Sequence, residues 1–156
     1  MLVFLTHRLA LPLLQLIRKP EYFPFDKKAL SLLPDHSVGQ ALLHFLESRQ
    51  LQLLPYYAKH DIKHVLLAYD ATDEGEVCQQ CFMLGNGHIS FPVAATVLYG
   101  WATMPEYWSS FRKAFQRGRR SPAIADWPWH VLVHEQLEAV RTKINRPGKI
   151  PAKYEH

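Results

Sequence analysis

The chain has 156 residues, 48% of them hydrophobic and 21% charged, which suits one globular domain and excludes disordered and fibrous proteins. Its two cysteines exclude a disulfide framework and favour a reducing compartment, so we expect a cytoplasmic protein. The formal net charge is +4, but the basic residues form no long stripe interleaved with aromatic residues, so no nucleic-acid partner is predicted.

The N-terminal segment is apolar but interrupted by polar residues. Residues 1–17 fall short of the roughly 20 apolar residues that a membrane span requires, and no basic residue or cleavage site marks a secretory signal. A helix over residues 1–18 is amphipathic, with Arg8 and Arg18 on its polar stripe. Its apolar face suits packing on the core, and docking at a lipid interface is the alternative.

Helix signals then follow in order. The Pro-containing stretch from Lys19 to Pro34 is predicted to be a linker between helices. Ser37, three residues before Gln40, has the form of a capping box and predicts a helix to Ser48. Pro55 suits the first turn of a helix that reaches about Tyr69, where the polar turn of residues 70–75 ends it.

Helices are also predicted throughout the second half of the chain. They are predicted from Asp73 to Gly85, from Ser90 to Trp101, from Pro105 to Gly118, and from an N-cap at Asp126 to Asn145. No alternating strand is visible. The predicted fold class is all-α: a compact single-domain bundle of about six to seven helices, with an N-terminal helix and linker (1–36), a core (37–145) and a tail (146–156).

Two histidines four residues apart, His60 and His64, carry the most informative pattern. Such a pair lies on one helical face and forms a two-point clamp for a metal ion, with a third ligand supplied from elsewhere. Glu76 begins the next helix and is the candidate third ligand. Asp61 is either a fourth ligand or a hydrogen-bond acceptor that orients an imidazole.

Each of these residues also has an ordinary structural interpretation. A His pair at this spacing often serves surface or core packing, and Asp73-x-x-Glu76 has the form of a helix cap.

Cys78 and Cys81 have the gap of a redox or zinc pair, but no second pair accompanies them, so packing is predicted. His130 and His134 are a second i, i+4 pair, which we interpret as a solvent-facing stripe. Arg117, Arg119 and Arg120 are typical of a solvated helix end.

The longer pattern resembles the coenzyme Q (ubiquinone) biosynthesis protein four family, Coq-four. The resemblance covers about Tyr56 to Asn145. It rests on His60-Asp61-x-x-His64, eleven residues, and Glu76 preceded by Gly75; on Val65-Leu66-Leu67 and Thr72; on Ala114-Phe115-x-x-Gly118-Arg119-Arg120-Ser121-Pro122; and on the helix from Trp129 through Leu137 to Val140-Arg141. The absence of a transit peptide indicates a short bacterial or divergent homologue.

The resemblance implies a helical protein that binds a divalent ion, usually taken as Zn²⁺, through His60, Asp61, His64 and Glu76. It implies a role in ubiquinone biosynthesis, with C1 decarboxylation and oxidative hydroxylation of a prenylated 4-hydroxybenzoate intermediate, which makes a metal-dependent lyase the leading expectation. It also implies peripheral attachment to the cytoplasmic face of the inner membrane and association with other quinone biosynthesis enzymes; a homo-oligomer is compatible with it. No catalytic residue is assigned.

Two other functions remain open. One is a non-catalytic scaffold that binds a lipid or quinone intermediate and organises a biosynthetic complex. The other is an unrelated helical metalloprotein such as a hydrolase, with Asp61 or Glu74 as general base. The apolar helix near residues 90–101 is predicted to form either the wall of a prenyl tunnel or plain core. The candidate lining residues are Leu84, Phe91, Val93, Ala94, Val97, Leu98 and Trp101.

Overall fold

A computed structural model describes residues 22–146, which form eight α-helices and no strand. The helices are α1 (Lys27–Ser31), α2 (Val38–Ser48), α3 (Ala58–Leu67), α4 (Asp73–Gly85), α5 (Phe91–Thr103), α6 (Trp108–Arg120), α7 (Trp129–Leu132) and α8 (Leu137–Asn145), with a 3₁₀ turn at Pro105–Tyr107 before α6. The predicted all-α class is confirmed. The amphipathic segment predicted over residues 1–18 and most of the predicted tail lie outside the described residues.

Side-chain caps fix the starts of the first two helices. The Ser37 hydroxyl accepts a hydrogen bond from the Gln40 amide at 3.2 Å, so the predicted start of α2 is confirmed. The Asp26 carboxylate accepts one from the Ala29 amide at 2.7 Å and caps α1. The stretch predicted as a plain linker therefore contains a short helix, and that prediction was wrong over residues 27–31.

The single long helix predicted from Asp126 to Asn145 was also wrong, because hydrogen bonds from a distant segment interrupt it. The Gly39 amide donates to the Val133 carbonyl at 3.0 Å, and the Val38 amide donates to the Glu135 carbonyl at 2.9 Å. The Leu137 amide, which a continuous helix would direct to Val133, donates instead to His36 at 2.9 Å. The first turn of α2 thereby takes its partners from the gap between α7 and α8.

Contacts divide the described chain into two compact units. The first comprises residues 22–73 and 128–140. In it α1 packs on α2, and α2 packs on α3. Its fully buried side chains are mostly aliphatic, as expected for a core that excludes water. They include Leu30, Leu42, Leu46, Ile62, Leu66 and Leu67, with Trp129 2% exposed.

The second unit comprises residues 74–127 and 141–146. Two glycines bring α4 and α6 into backbone contact: a Cβ at Gly118 would overlap the Phe82 carbonyl, and a Cβ at Gly85 would overlap the Phe115 carbonyl. Asn86, just beyond α4, holds the loop after α6. Its amide donates to the carbonyls of Gly118 at 3.1 Å and Pro122 at 2.8 Å, and its oxygen accepts from the Ile124 amide at 2.9 Å.

Helix α5 exposes an apolar face. It contains no charged residue, and it buries only Val93 and Gly100, the latter against Val77. Phe91 is 84% exposed and Leu98 is 69% exposed. The sequence predicted either a tunnel wall or plain core for this helix, so its exposed apolar face was not predicted. Within residues 22–146, no helix is long and apolar enough to span a bilayer.

Candidate metal centre

The two predicted histidines lie side by side on α3. Their ring centroids are 4.7 Å apart, with the planes inclined at 65°. His64 is buried, and the side chain of His60 is 17% exposed. The helical spacing therefore brings the rings together on one face, as the pattern predicted.

The turn after α3 orients His64. Ala68 ends the helix in the left-handed conformation, with φ 57°, and the chain then directs the Tyr69 carbonyl back at the imidazole. His64 Nδ1 donates to that carbonyl at 2.9 Å. Because a carbonyl only accepts, the proton is fixed on Nδ1 and Nε2 keeps its lone pair, so His64 can bind a metal ion through Nε2.

Aromatic neighbours hold both rings in place. Phe45 stacks on His64 with centroids 5.7 Å apart and planes inclined at 17°, and Tyr57 stacks on His60 at 4.5 Å and 30°. The Arg49 guanidinium lies over the Phe45 ring, 4.3 Å from its centroid. The sequence analysis missed Phe45 and Tyr57, and no spacing rule would have found Phe45, because it lies on a different helix.

Asp61 is buried beside the first histidine. It is 6% exposed, and its Oδ1 lies 3.5 Å from His60 Nδ1. At that distance the contact is weak as a hydrogen bond, but the carboxylate still favours a proton on Nδ1. Of the two roles predicted for Asp61, the contact matches orientation of an imidazole.

Glu76 lies in the first turn of α4 and is 5% exposed. One ligand atom from each of His60, His64 and Glu76 lies within 4.8 Å of the other two, and Asp61 does not belong to this group. Three of the four predicted ligands are thus brought together.

The donor set of two imidazole nitrogens and one carboxylate oxygen fits a divalent ion. Tetrahedral ligands about 2.1 Å from Zn²⁺ lie about 3.4 Å from one another, so small side-chain rotations would bring this group to bonding distance. If His60, His64 and Glu76 held such an ion, a fourth position would be available to another ligand, as in catalytic zinc sites.

The remaining candidates for chemistry have other roles. Burial raises the pKa of Cys78 to about 12 and the pKa of Cys81 to about 11, so both thiols are neutral, as suits the packing interpretation. His130 and His134 are both exposed, and the break after α7 leaves them on no common helix. Arg117 Nε donates to Asn145 at 3.1 Å.

Comparisons with known proteins bear on the fold. Neither a protein-family model nor a curated protein matches this sequence. Among solved structures, the chain is similar to a crystal structure from Nostoc punctiforme described as that of a candidate ubiquinone biosynthesis protein. The TM-score is 0.62 and the identity 20%, covering 90% of this chain and 77% of the other. At that identity the similarity establishes a shared fold.

Proposed function

We propose that the protein is a metal-dependent enzyme of ubiquinone biosynthesis, which removes the C1 carboxylate of a prenylated 4-hydroxybenzoate. The observation that carries this proposal is the grouping of His60, His64 and Glu76 within ligand reach of one another. The name of the Nostoc protein, whose fold this chain shares, and the resemblance to the Coq-four family also support it. We propose Zn²⁺ as the ion because histidine nitrogens with a carboxylate oxygen suit it.

Bound at this centre, the ion would act as a Lewis acid toward the substrate carboxylate or toward charge developing on the ring. The protein's part is to hold the imidazoles rigid through Phe45, Tyr57 and the Tyr69 carbonyl. In the step itself the bond between C1 and the carboxyl carbon breaks, CO₂ leaves, the electron pair stays on the ring, and a proton takes the vacant position.

A turnover assay separates the enzyme from a non-catalytic scaffold. Full-length protein loaded with Zn²⁺ is expected to release labelled CO₂ from a 3-prenyl-4-hydroxybenzoate labelled in its carboxyl group, and prior chelation is expected to abolish the release. The matched control is an equal amount of free Zn²⁺ with the substrate. Tight binding of the substrate without release of CO₂ would establish the scaffold instead.

We also propose that the exposed face of α5 binds an anionic membrane surface, where a prenylated substrate resides. Residues Ile89, Phe91 and Leu98 are 77%, 84% and 69% exposed. Exposed apolar surface of this kind marks an interaction site. Insertion of the Phe91 and Leu98 side chains of α5 into the bilayer would each contribute about 1.5–3 kcal/mol to the binding free energy.

Charge favours a bilayer over a second copy of the chain as the occupant. Residues 84–125 contain five Lys and Arg residues and a single acid, Glu106. Four of the five cations, those of Arg112, Lys113, Arg119 and Arg120, are exposed. Two such segments facing each other in a symmetric dimer would repel, whereas each cation near an anionic lipid surface contributes about 1 kcal/mol.

Vesicle flotation tests this surface. The intact protein is expected to float with phosphatidylglycerol vesicles at low salt, and the double variant Phe91→Ser, Leu98→Ser is expected to lose at least about 90% of that binding, because the inserted apolar area is removed. Leu32→Ser is the matched control, since Leu32 is 80% exposed but lies on the first unit. A variant lacking residues 1–18 reports separately on the predicted N-terminal anchor. Equal flotation of the double variant would refute the α5 face.

A further inference from the structure

Gln79, on the same helix as Glu76, is a buried polar residue that the metal centre does not use. Its side chain is 0% exposed. Neither its amide nitrogen nor its amide oxygen has a hydrogen-bond partner in the part of the chain that the structure describes. Most buried polar groups in folded proteins are satisfied, so a carboxamide with both ends unpaired requires an explanation.

The surroundings of Gln79 on its own helix make the unpaired state unfavourable. Phe82 and Met83, three and four residues further along α4 and therefore beside Gln79 on the helix surface, are both buried apolar side chains. Apolar surroundings provide neither a donor nor an acceptor and strengthen the penalty for an unpaired dipole. A residue of similar shape without polar atoms, such as methionine, would fill the same space at no such penalty.

The position of Gln79 relates it to the proposed centre. It follows Glu76 by three residues on α4, a spacing that puts two side chains on one helical face about 5–6 Å apart at their Cβ atoms. Gln79 and Glu76 therefore occupy one face of α4.

We propose that the Gln79 carboxamide binds the ring hydroxyl of the aromatic acid substrate. A carboxamide offers one neutral donor and one neutral acceptor, and a phenolic hydroxyl likewise donates and accepts, so the two groups satisfy each other. The substrate carboxylate, which is charged, is matched by the cation instead. This inference rests on the proposed function. It makes Gln79 a specificity-determining residue that distinguishes a hydroxylated ring from an unhydroxylated one.

A ligand comparison tests the contact directly. Binding of 3-geranyl-4-hydroxybenzoate and of 3-geranylbenzoate, which lacks the hydroxyl, is measured by calorimetry on full-length protein loaded with Zn²⁺. We expect the protein with Gln79 intact to bind the hydroxylated ligand with about tenfold or more higher affinity than the other. The Gln79→Met variant should bind the two ligands with equal affinity. Gln80→Met, at the adjacent half-buried position, is the matched control and should keep the preference.

Thermal unfolding without ligand gives a second readout. Gln79→Met is expected to raise Tm by about 2–4 °C because it removes an unpaired buried amide. A fall in Tm would mean that the carboxamide has partners within the folded chain and would overturn the proposal. An undiminished preference for the hydroxylated ligand in Gln79→Met would also overturn it. If the unsubstituted chain bound neither ligand, the proposed function itself would fail, and this inference with it.

Discussion

Replacing His64 with alanine is expected to reduce the divalent ion that copurifies with the protein from about one per chain to none detectable. The imidazole is one of only two nitrogen donors in the group of three. Loss of a residue that merely supports a metal ligand typically weakens affinity 10–100-fold, so loss of the ligand itself should exceed about 100-fold. Elemental analysis of protein purified without added metal provides the measurement.

Two further variants make this result specific. His130→Ala removes an exposed histidine on α7 and should leave the metal content unchanged. His64→Gln retains most of the side-chain volume beside Phe45, so a loss of metal in that variant cannot be attributed to a cavity. Metal retained at the original stoichiometry in both His64 variants would rule out the proposed centre.

Replacing Gly118 with alanine is expected to destabilise the protein by about 3 kcal/mol or more, although the same change on an exposed helix stabilises by about 1 kcal/mol. The reason is the contact between α4 and α6. The added Cβ would overlap the Phe82 carbonyl and would lie 3.0 Å from the backbone nitrogen of Asn86. Both are backbone atoms, which no rotamer change can move. The separation of the helices would also strain the Asn86 hydrogen bonds to Gly118 and Pro122.

Thermal denaturation measures this effect, with an expected fall in Tm of about 6–12 °C, at about 2–4 °C per kcal/mol for a chain of this size. Gly87→Ala is the matched control: nothing lies within 4 Å of its added Cβ, but its φ of +89° is unfavourable for alanine. That change should cost about 1 kcal/mol through backbone strain alone. An unchanged Tm in Gly118→Ala would show that α4 and α6 separate freely.

Local signals in the sequence predicted the helices whose ends depend on nearby residues. The Ser37 hydroxyl caps a helix three residues away, and the break at Gly85-Asn86-Gly87 ends α4 where the structure ends it. The errors arose where distant backbone atoms take part. The interruption between α7 and α8 depends on amides of α2, which no window of sequence around Val133 reveals.

The candidate centre divides in the same way. The two histidines follow from helical spacing alone, since residues four apart share a face. The tautomer of His64 cannot be predicted from helical spacing, because it depends on the left-handed conformation of Ala68, which turns the Tyr69 carbonyl toward the imidazole. Alanine rarely adopts that conformation, so the sequence does not indicate it. For α5, a helix that is apolar all round has no periodicity from which to predict its exposed face.

The pairing of Val38 and Gly39 with Glu135 and Val133 has a consequence for the order of folding during synthesis. These partners are separated by almost a hundred residues of chain, and the continuous segment 74–127 of the second unit is translated between them. The first turn of α2 therefore leaves the ribosome long before its hydrogen-bond acceptors exist. The continuous segment 74–127 of the second unit can therefore begin to fold before residues 128–140, which complete the first unit, have been synthesised.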